Sequence, residues 1–130
     1  MPNKGTHIAA GGGLGALVLG IWNLIDQHQK IQRGEQVQID WRSAALNGFI
    51  GSIVGGTFGV LPDLLEPATN FEHRRFFHSL SFAIAAAGGI LQLLHRIQNP
   101  MVRRLVIVAA VGYGSHLGLD ARTVQGLPII

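Results

Sequence analysis

The sequence contains no cysteine. This absence excludes a disulfide-stapled secreted domain, a thiol nucleophile and any zinc site built on thiolates. Charged residues are also scarce, at 13% of the chain, which is about half their share in an ordinary soluble domain. Apolar residues make up 48% of the chain, and this content excludes an intrinsically disordered protein.

Long stretches without charge are the main feature that is present. Two of them are about 20 residues long, which is enough to cross the core of a bilayer, and two are about 15 residues long. None alternates between apolar and polar residues as a half-buried strand would. We therefore predict an all-α protein, a single membrane-embedded domain over residues 1–130 that folds as a four-helix bundle. The four charge-free runs are 5–25, 43–62, 79–94 and 105–119.

Small residues recur at helical spacing within these runs. Residues four apart lie on one face of a helix, and glycine there lets two backbones approach closely. The pattern predicts close helix contacts and leaves room for a homo-oligomer. The small residues at this spacing are Gly11 and Gly15, then Gly51, Gly55 and Gly59, then Ala85 and Gly89.

Three polar segments separate the runs, and we predict each as a loop. They cover residues 26–42, 62–78 and 95–104. Prolines at positions 62, 67 and 100 are expected to interrupt helix there. Ser79, at the end of the second segment, is a candidate N-cap for the third helix.

Four antiparallel crossings would bring most histidines and acids to one end of the bundle. His116 and Asp120 are four residues apart, so on a helix their side chains share a face about 5–6 Å apart. An imidazole and a carboxylate at that distance can bind one metal ion, or the carboxylate can bridge two. His28 and His95 fall at the other end and are assigned no role. The predicted metal ligands are His7, Asp63, Glu66, His73, His78, His116 and Asp120.

Three segments resemble the YdjM-like family: LPD at 61–63, HRRFFHSL at 73–80 and GYGSHLGLD at 112–120. Thr6-His7, Thr123 and Gly126 fit as well, so the resemblance covers most of the chain. It implies a bacterial inner-membrane protein, multi-pass, of a family described as metal-dependent hydrolases, some of them as LexA-binding. The family commonly carries a second aspartate followed by histidine where this chain has Leu65 and Glu66. More distantly, the order of ligands is similar to that of zinc-dependent phospholipase C and P1 nuclease.

These observations together suggest a hydrolytic centre with one or two metal ions. Without cysteine the ligands are nitrogen and oxygen, which suits Zn²⁺ first and Mn²⁺ or Fe next. We expect one ion on Asp63, His78 or His73, His116 and Asp120. A second ion would use His7, a bridging Asp120 and Glu66. Three arginines, Arg74, Arg75 and Arg122, are candidates to neutralise a phosphoester substrate, such as a phospholipid.

The distribution of basic residues predicts how the bundle is oriented. Six cations lie on the side away from the predicted site, at positions 30, 33, 42, 96, 103 and 104, and four lie beside it, at 4, 74, 75 and 122. By the positive-inside rule, the site then faces outward. The alternative function is a non-enzymatic membrane interaction or regulatory protein, with a structural metal or a polar network. Because the basic residues form no stripe, we expect no nucleic-acid binding.

Overall fold

The computed structural model describes residues 3–66 and 76–122. Over these residues the chain forms four helices and no strand: α1 (Lys4–Gln32), α2 (Trp41–Leu65), α3 (Leu80–Arg96) and α4 (Pro100–Ala121). The predicted all-α, four-helix fold is confirmed. Two helices, α1 with 29 residues and α2 with 25, are long and apolar enough to cross a membrane.

Each helix begins at a polar side chain that accepts hydrogen bonds from its first backbone N–H groups. Such a cap stabilises a helix by about 1 kcal/mol. The predicted cap at Ser79 is confirmed, since its Oγ accepts a hydrogen bond of 3.1 Å from the N–H of Phe82. The start of α3 is thereby fixed directly after His78. The four caps are Asn3, Asp40, Ser79 and Asn99.

The connection between α1 and α2 is shorter than the predicted loop over residues 26–42. α1 continues through its polar end to Gln32 and α2 begins at Trp41, which leaves only residues 33–40 between them. Glutamine and lysine are good helix formers, so the polar residues from Gln27 to Gln32 continue the helix. Gly34, at φ 82°, adopts the left-handed conformation that commonly follows a helix end.

The prediction that prolines interrupt helix is wrong at Pro62 and is confirmed at Pro100, since the break between α3 and α4 lies directly before that residue. α2 continues through Pro62 to Leu65, and Pro100 is the first residue of α4. Burial of the Pro62 ring offsets part of the roughly 3 kcal/mol that an interior proline costs. At the first helical position proline costs little, because its missing N–H has no helical partner there. The loop predicted over 95–104 is accordingly reduced to residues 97–99, while Pro67 lies outside the described residues.

The backbones of α1, α2 and α4 meet along their glycine faces. A Cβ at Gly11 or Gly15 would overlap the backbone of α2, and so would a Cβ at Gly112 of α4. At the end of α2, a Cβ at Gly59 would lie 2.7 Å from the carbonyl oxygen of His7. The predicted close approach is confirmed for these helices.

Helix α3 lies beside this three-helix core. Within the described residues its backbone approaches α4 alone, and none of its residues is buried. The expected close contact at Gly89 is absent, since a Cβ there would meet nothing within 4 Å. Between α3 and α4 lies an apolar groove of about 470 Å³. It is lined by residues from Ala83 to Leu94 on α3 and from Ile107 to Leu117 on α4.

Candidate metal centre

Six of the predicted site residues lie together at one end of the bundle, which we call the site end. One comes from the first turn of α1, two from the end of α2, one from the residue before the α3 cap, and two from the last turns of α4. The convergence expected from four antiparallel helices is therefore confirmed for these residues. They are His7, Asp63, Glu66, His78, His116 and Asp120.

Two imidazole nitrogens and two carboxylate oxygens converge at the centre of this group. The Nε2 atoms of His78 and His116 are 2.9 Å apart. Asp63 Oδ1 lies 3.4 Å from Nε2 of His78 and 3.7 Å from Nε2 of His116. Asp120 Oδ2 lies 3.8 Å and 3.4 Å from the same two nitrogens. These four side chains thus form one compact N₂O₂ group.

The spacing of the N₂O₂ group fits a four-coordinate metal ion. Bonds of about 2.0–2.1 Å in a tetrahedral zinc site place neighbouring ligand atoms about 3.3 Å apart. The five measured separations lie on both sides of that value, between 2.9 and 3.8 Å. The two nitrogens and each carboxylate oxygen are therefore spaced as the ligands of one small divalent cation are.

The second nitrogen of each central imidazole is held by an oxygen. Nδ1–H of His116 donates to the carbonyl oxygen of Gly59 at 2.8 Å, and Nδ1–H of His78 donates to Glu66 Oε2 at 3.0 Å. Since a carbonyl oxygen only accepts, Nδ1 of His116 must carry a proton, and in the neutral imidazole this leaves the Nε2 lone pair facing the N₂O₂ group. Such outer partners are the usual means by which proteins orient metal-binding histidines.

A third histidine borders the group from α1. The ring of His7 stacks on that of His116 with 3.8 Å between centroids, and its Nε2 lies 3.6 Å from Asp120 Oδ1. His7, Asp63 and His116 form a second triple of donors within 4.8 Å of one another. The first such triple is His78, His116 and Asp120. Both triples contain His116.

Burial separates the inner part of the site from its opening. The three histidines and Asp120 are at most 1% exposed. The side chains of Asp63 and Glu66 keep 23% and 15% of their surface exposed. Ionisable groups buried among apolar helices are costly, and they mark functional positions. The site is therefore deep, with an open side at the end of α2.

The Glu66 carboxylate lies just beyond the last residue of α2. Its burial alone would raise the pKa of this carboxyl. Hydrogen bonds from His78 and from the backbone N–H groups of Phe77 and Phe76 outweigh that effect and lower the pKa below its ordinary value of 4.5. Glu66 is consequently ionised at neutral pH, as an acceptor of three hydrogen bonds should be.

Of the other predicted site residues, the structure describes one, and it lies outside this cluster. Arg122, one of the predicted phosphate-binding residues, follows α4 and has an exposed side chain at the site end. His73, Arg74 and Arg75 lie outside the described residues. His28 and His95, to which no role is assigned, lie near the C-terminal ends of α1 and α3, away from the site end.

Two contributors to the centre were not predicted from the sequence. Gly59 supplies the carbonyl oxygen that orients His116, and Tyr113 donates a hydrogen bond to the carbonyl oxygen of Phe77, next to His78. The four-residue glycine spacing indicated that Gly59 lies at a helix contact, but not that its carbonyl is an acceptor. Tyr113 stands three residues before His116, and its position within that motif was the available signal.

The described residues thus form apolar helices around a buried His–Asp cluster, which is a candidate metal centre. The model of one protein family, described as YdjM inner membrane protein, matches residues 1–130. The chain belongs to this family and is an inner-membrane protein, which confirms the resemblance noted in the sequence. Comparisons with curated proteins and with solved structures give no match.

Proposed function

We propose that this protein is a membrane-bound, metal-dependent hydrolase that cleaves a phosphoester with a metal-activated water. The observation that carries the proposal is the N₂O₂ group at the buried end of the bundle, whose two nitrogens lie 2.9 Å apart and 3.4–3.8 Å from each carboxylate oxygen. Nitrogen and oxygen ligands favour Zn²⁺, with Mn²⁺ or Fe as further candidates. When bound, such an ion lowers the pKa of a bound water and so supplies hydroxide at neutral pH.

Side chains of this chain would bind the ion and leave one side of the centre accessible. His78, His116, Asp63 and Asp120 are the proposed ligands. His7 is proposed as an additional donor when the coordination number rises, since its Nε2 borders Asp120. The partly exposed Asp63 marks the side from which water and substrate enter. An accessible side favours a catalytic over a structural metal, because structural zinc sites are closed.

Arginines at the site end are proposed to bind the phosphate. Arg122 is exposed directly after α4, two residues beyond the buried Asp120. Arg74 and Arg75 precede Phe76, the first described residue of the segment that leads to His78. Guanidinium groups pair with phosphate oxygens in a bidentate manner and stabilise the charge that develops on them.

A lipid-linked substrate is favoured by the groove between α3 and α4. It is apolar along its length, and at the site end it reaches Tyr113 and Leu117, which flank the His116 region of α4. From Ala83 to Leu94 the groove extends about 16 Å along α3, at about 1.5 Å per residue. An acyl chain of ordinary length would fit that distance, with its phosphate at the metal.

Multi-pass insertion with the site facing outward is the proposed topology. The opposite end of the bundle carries Lys30, Arg33 and Arg42, together with the basic residues that flank the 97–99 connection. Cytoplasmic connections are enriched in lysine and arginine. The site end would then face the periplasmic side of the inner membrane.

Hydrolysis of phosphodiesters in mixed micelles tests the proposed activity. We expect cleavage that a chelator abolishes and Zn²⁺ or Mn²⁺ restores, with long-chain phospholipids cleaved better than short-chain esters. Asp120→Asn should lose at least about a hundredfold in rate, as loss of a metal ligand or charge-stabilising group does. His28→Ala, at the opposite end, serves as the matched control and should keep full activity.

Metal-loaded protein that cleaves no phosphoester would contradict the proposal. Equal activity of Asp120→Asn and the unaltered protein would contradict it as well. A tightly bound ion without any hydrolysis would instead favour the alternative of a membrane interaction protein with a structural metal.

A further inference from the structure

We infer that Glu66 is a positioning residue for His78, and that the centre built by the described residues holds a single metal ion. The inference rests on the proposed metal centre and assigns which of its carboxylates bind the ion.

Both oxygens of Glu66 are engaged away from the N₂O₂ group. Oε1 accepts from the N–H of Phe76 at 2.9 Å, and Oε2 accepts from the N–H of Phe77 at 3.0 Å. Oε2 also accepts from Nδ1–H of His78 at 3.0 Å. The carboxylate thus ties the segment before α3 to the end of α2 through three hydrogen bonds, each strengthened by its charge.

Glu66 and the ion would lie on opposite sides of the His78 imidazole. The Nδ1 atom faces Glu66, and the Nε2 atom faces Asp63, at 3.4 Å, and His116, at 2.9 Å. Holding the proton on Nδ1 leaves the Nε2 lone pair directed at the N₂O₂ group. A carboxylate in this position raises the basicity of the ligand and fixes its orientation, but it does not bind the ion.

Among residues 3–66 and 76–122, the remaining donors do not form two separate metal sites. The two possible triples, one with His7 and Asp63 and one with His78 and Asp120, both require His116. Its Nδ1 donates to Gly59, so only Nε2 remains, and a neutral imidazole nitrogen has one lone pair. Leu65 supplies no oxygen, and Glu66 is engaged elsewhere. Only one of the two triples can therefore be filled.

Titration of the detergent-purified protein with Zn²⁺ tests both parts of the inference. We expect one ion per chain in the unaltered protein. Glu66→Gln should also bind one ion, with an affinity 10- to 100-fold lower, which is the usual cost of losing an outer partner. Glu35→Gln, a loss of an exposed carboxylate in the connection at the opposite end, is the matched control and should bind like the unaltered protein.

A spectroscopic measurement separates positioning from general destabilisation. With saturating Co²⁺, the ligand-field bands of Glu66→Gln should shift, because the bound His78 is less basic and less well oriented. In metal-free protein, ¹⁵N spectra of the imidazoles should show His78 protonated at Nδ1 in the unaltered chain and a mixture of tautomers in Glu66→Gln.

Two results would overturn the inference while leaving the proposed function intact. One is two ions per unaltered chain, with one of them lost in Glu66→Gln, since Glu66 would then be a ligand. The other is unchanged affinity, Co²⁺ spectrum and tautomer in Glu66→Gln. No metal binding by the unaltered protein would overturn the inference together with the proposed function.

Discussion

At the scale of single residues, two carboxylates three positions apart at the end of α2 have different surroundings. Asp63 Oδ1 faces the Nε2 atoms of His78 and His116, whereas Glu66 faces backbone N–H groups and Nδ1 of His78. The difference arises because α2 continues through Pro62 to Leu65, so Asp63 stands on its last turn while Glu66 stands just beyond it. Helix geometry, more than residue type, thus decides which acid faces the centre.

The lowered pKa of the Glu66 carboxyl gives a pH-dependent contribution to stability. Because this pKa is below its ordinary value of 4.5 in the folded protein, the contribution is present above that value. It is lost as the pH falls through the lowered pKa. Without metal, we expect the unaltered protein to melt at a higher temperature than Glu66→Gln at neutral pH. The difference between the two melting temperatures should shrink below about pH 4.

Thermal melts of both proteins between pH 3 and pH 7 measure this effect. Glu35→Gln, again the control, should follow the unaltered protein throughout. A constant difference between Glu66→Gln and the unaltered protein across that range would contradict the assignment of the effect to this carboxylate.

The sequence predicted the residue types of the centre better than their individual contacts. His116 and Asp120 follow from their four-residue spacing, and His7 and Asp63 follow from the antiparallel order of the helices. The hydrogen bonds to Gly59 and from Tyr113 could not be predicted, because they depend on which backbone carbonyls the packed helices expose. The role of Glu66 depends on the exact residue at which α2 ends.

At the scale of the helices, glycine at the α1–α2 contact places the ligands. Contact of the two backbones near Gly59 brings His7 of α1 beside Asp63 and the Gly59 carbonyl beside His116. The charge-free runs predicted all four helices, but the polar ends of α1 and the prolines led to loops that were too long. Helix-forming residues such as Gln27 and Lys30 carry a helix beyond its apolar segment, and a charge count does not detect this.

Gly59→Ala tests the importance of this contact. The added Cβ would lie 2.7 Å from His7 O and 3.3 Å from the Cα of Gly11, so α1 must shift away from α2. We expect a loss of about 1–3 kcal/mol in the free energy of unfolding, as overpacking typically costs. A weaker affinity for Zn²⁺ should accompany it. The readouts are denaturant unfolding in detergent and metal titration.

Gly118→Ala is the matched control on α4, because a Cβ there would meet nothing within 4 Å. It should keep or slightly raise stability, since alanine favours helix over glycine by up to about 1 kcal/mol. Equal stability and equal metal affinity for the two variants would show that the backbone contact at Gly59 does not place the ligands.

At the scale of the whole molecule, the two ends of the bundle differ in chemistry. The site end gathers buried histidines and acids, while the opposite end carries basic residues and an ion pair between Arg104 and Asp26, with 3.0 Å between Nη2 and Oδ1. The family match makes this an inner-membrane protein, and two of its helices are long and apolar enough to cross the membrane. The asymmetry of charge is the basis of the proposed orientation.

Labelling of single cysteines tests that orientation directly, since the natural chain has none. Arg122→Cys, at the site end, should react with a membrane-impermeant maleimide in intact cells. Glu35→Cys, in the 33–40 connection, should react only after the inner membrane is opened. The reverse pattern would place the site on the cytoplasmic side and contradict the proposed topology.

The most direct test of the proposed metal centre is the metal content of the detergent-purified protein. It is measured by elemental analysis beside His116→Ala and Asp120→Ala. The proposed centre predicts one equivalent of zinc, manganese or iron per chain, lost in both variants and retained in His28→Ala. A protein that contains no metal and takes up none on addition would contradict it. The buried histidines and acids would then be a polar network that holds the helices together.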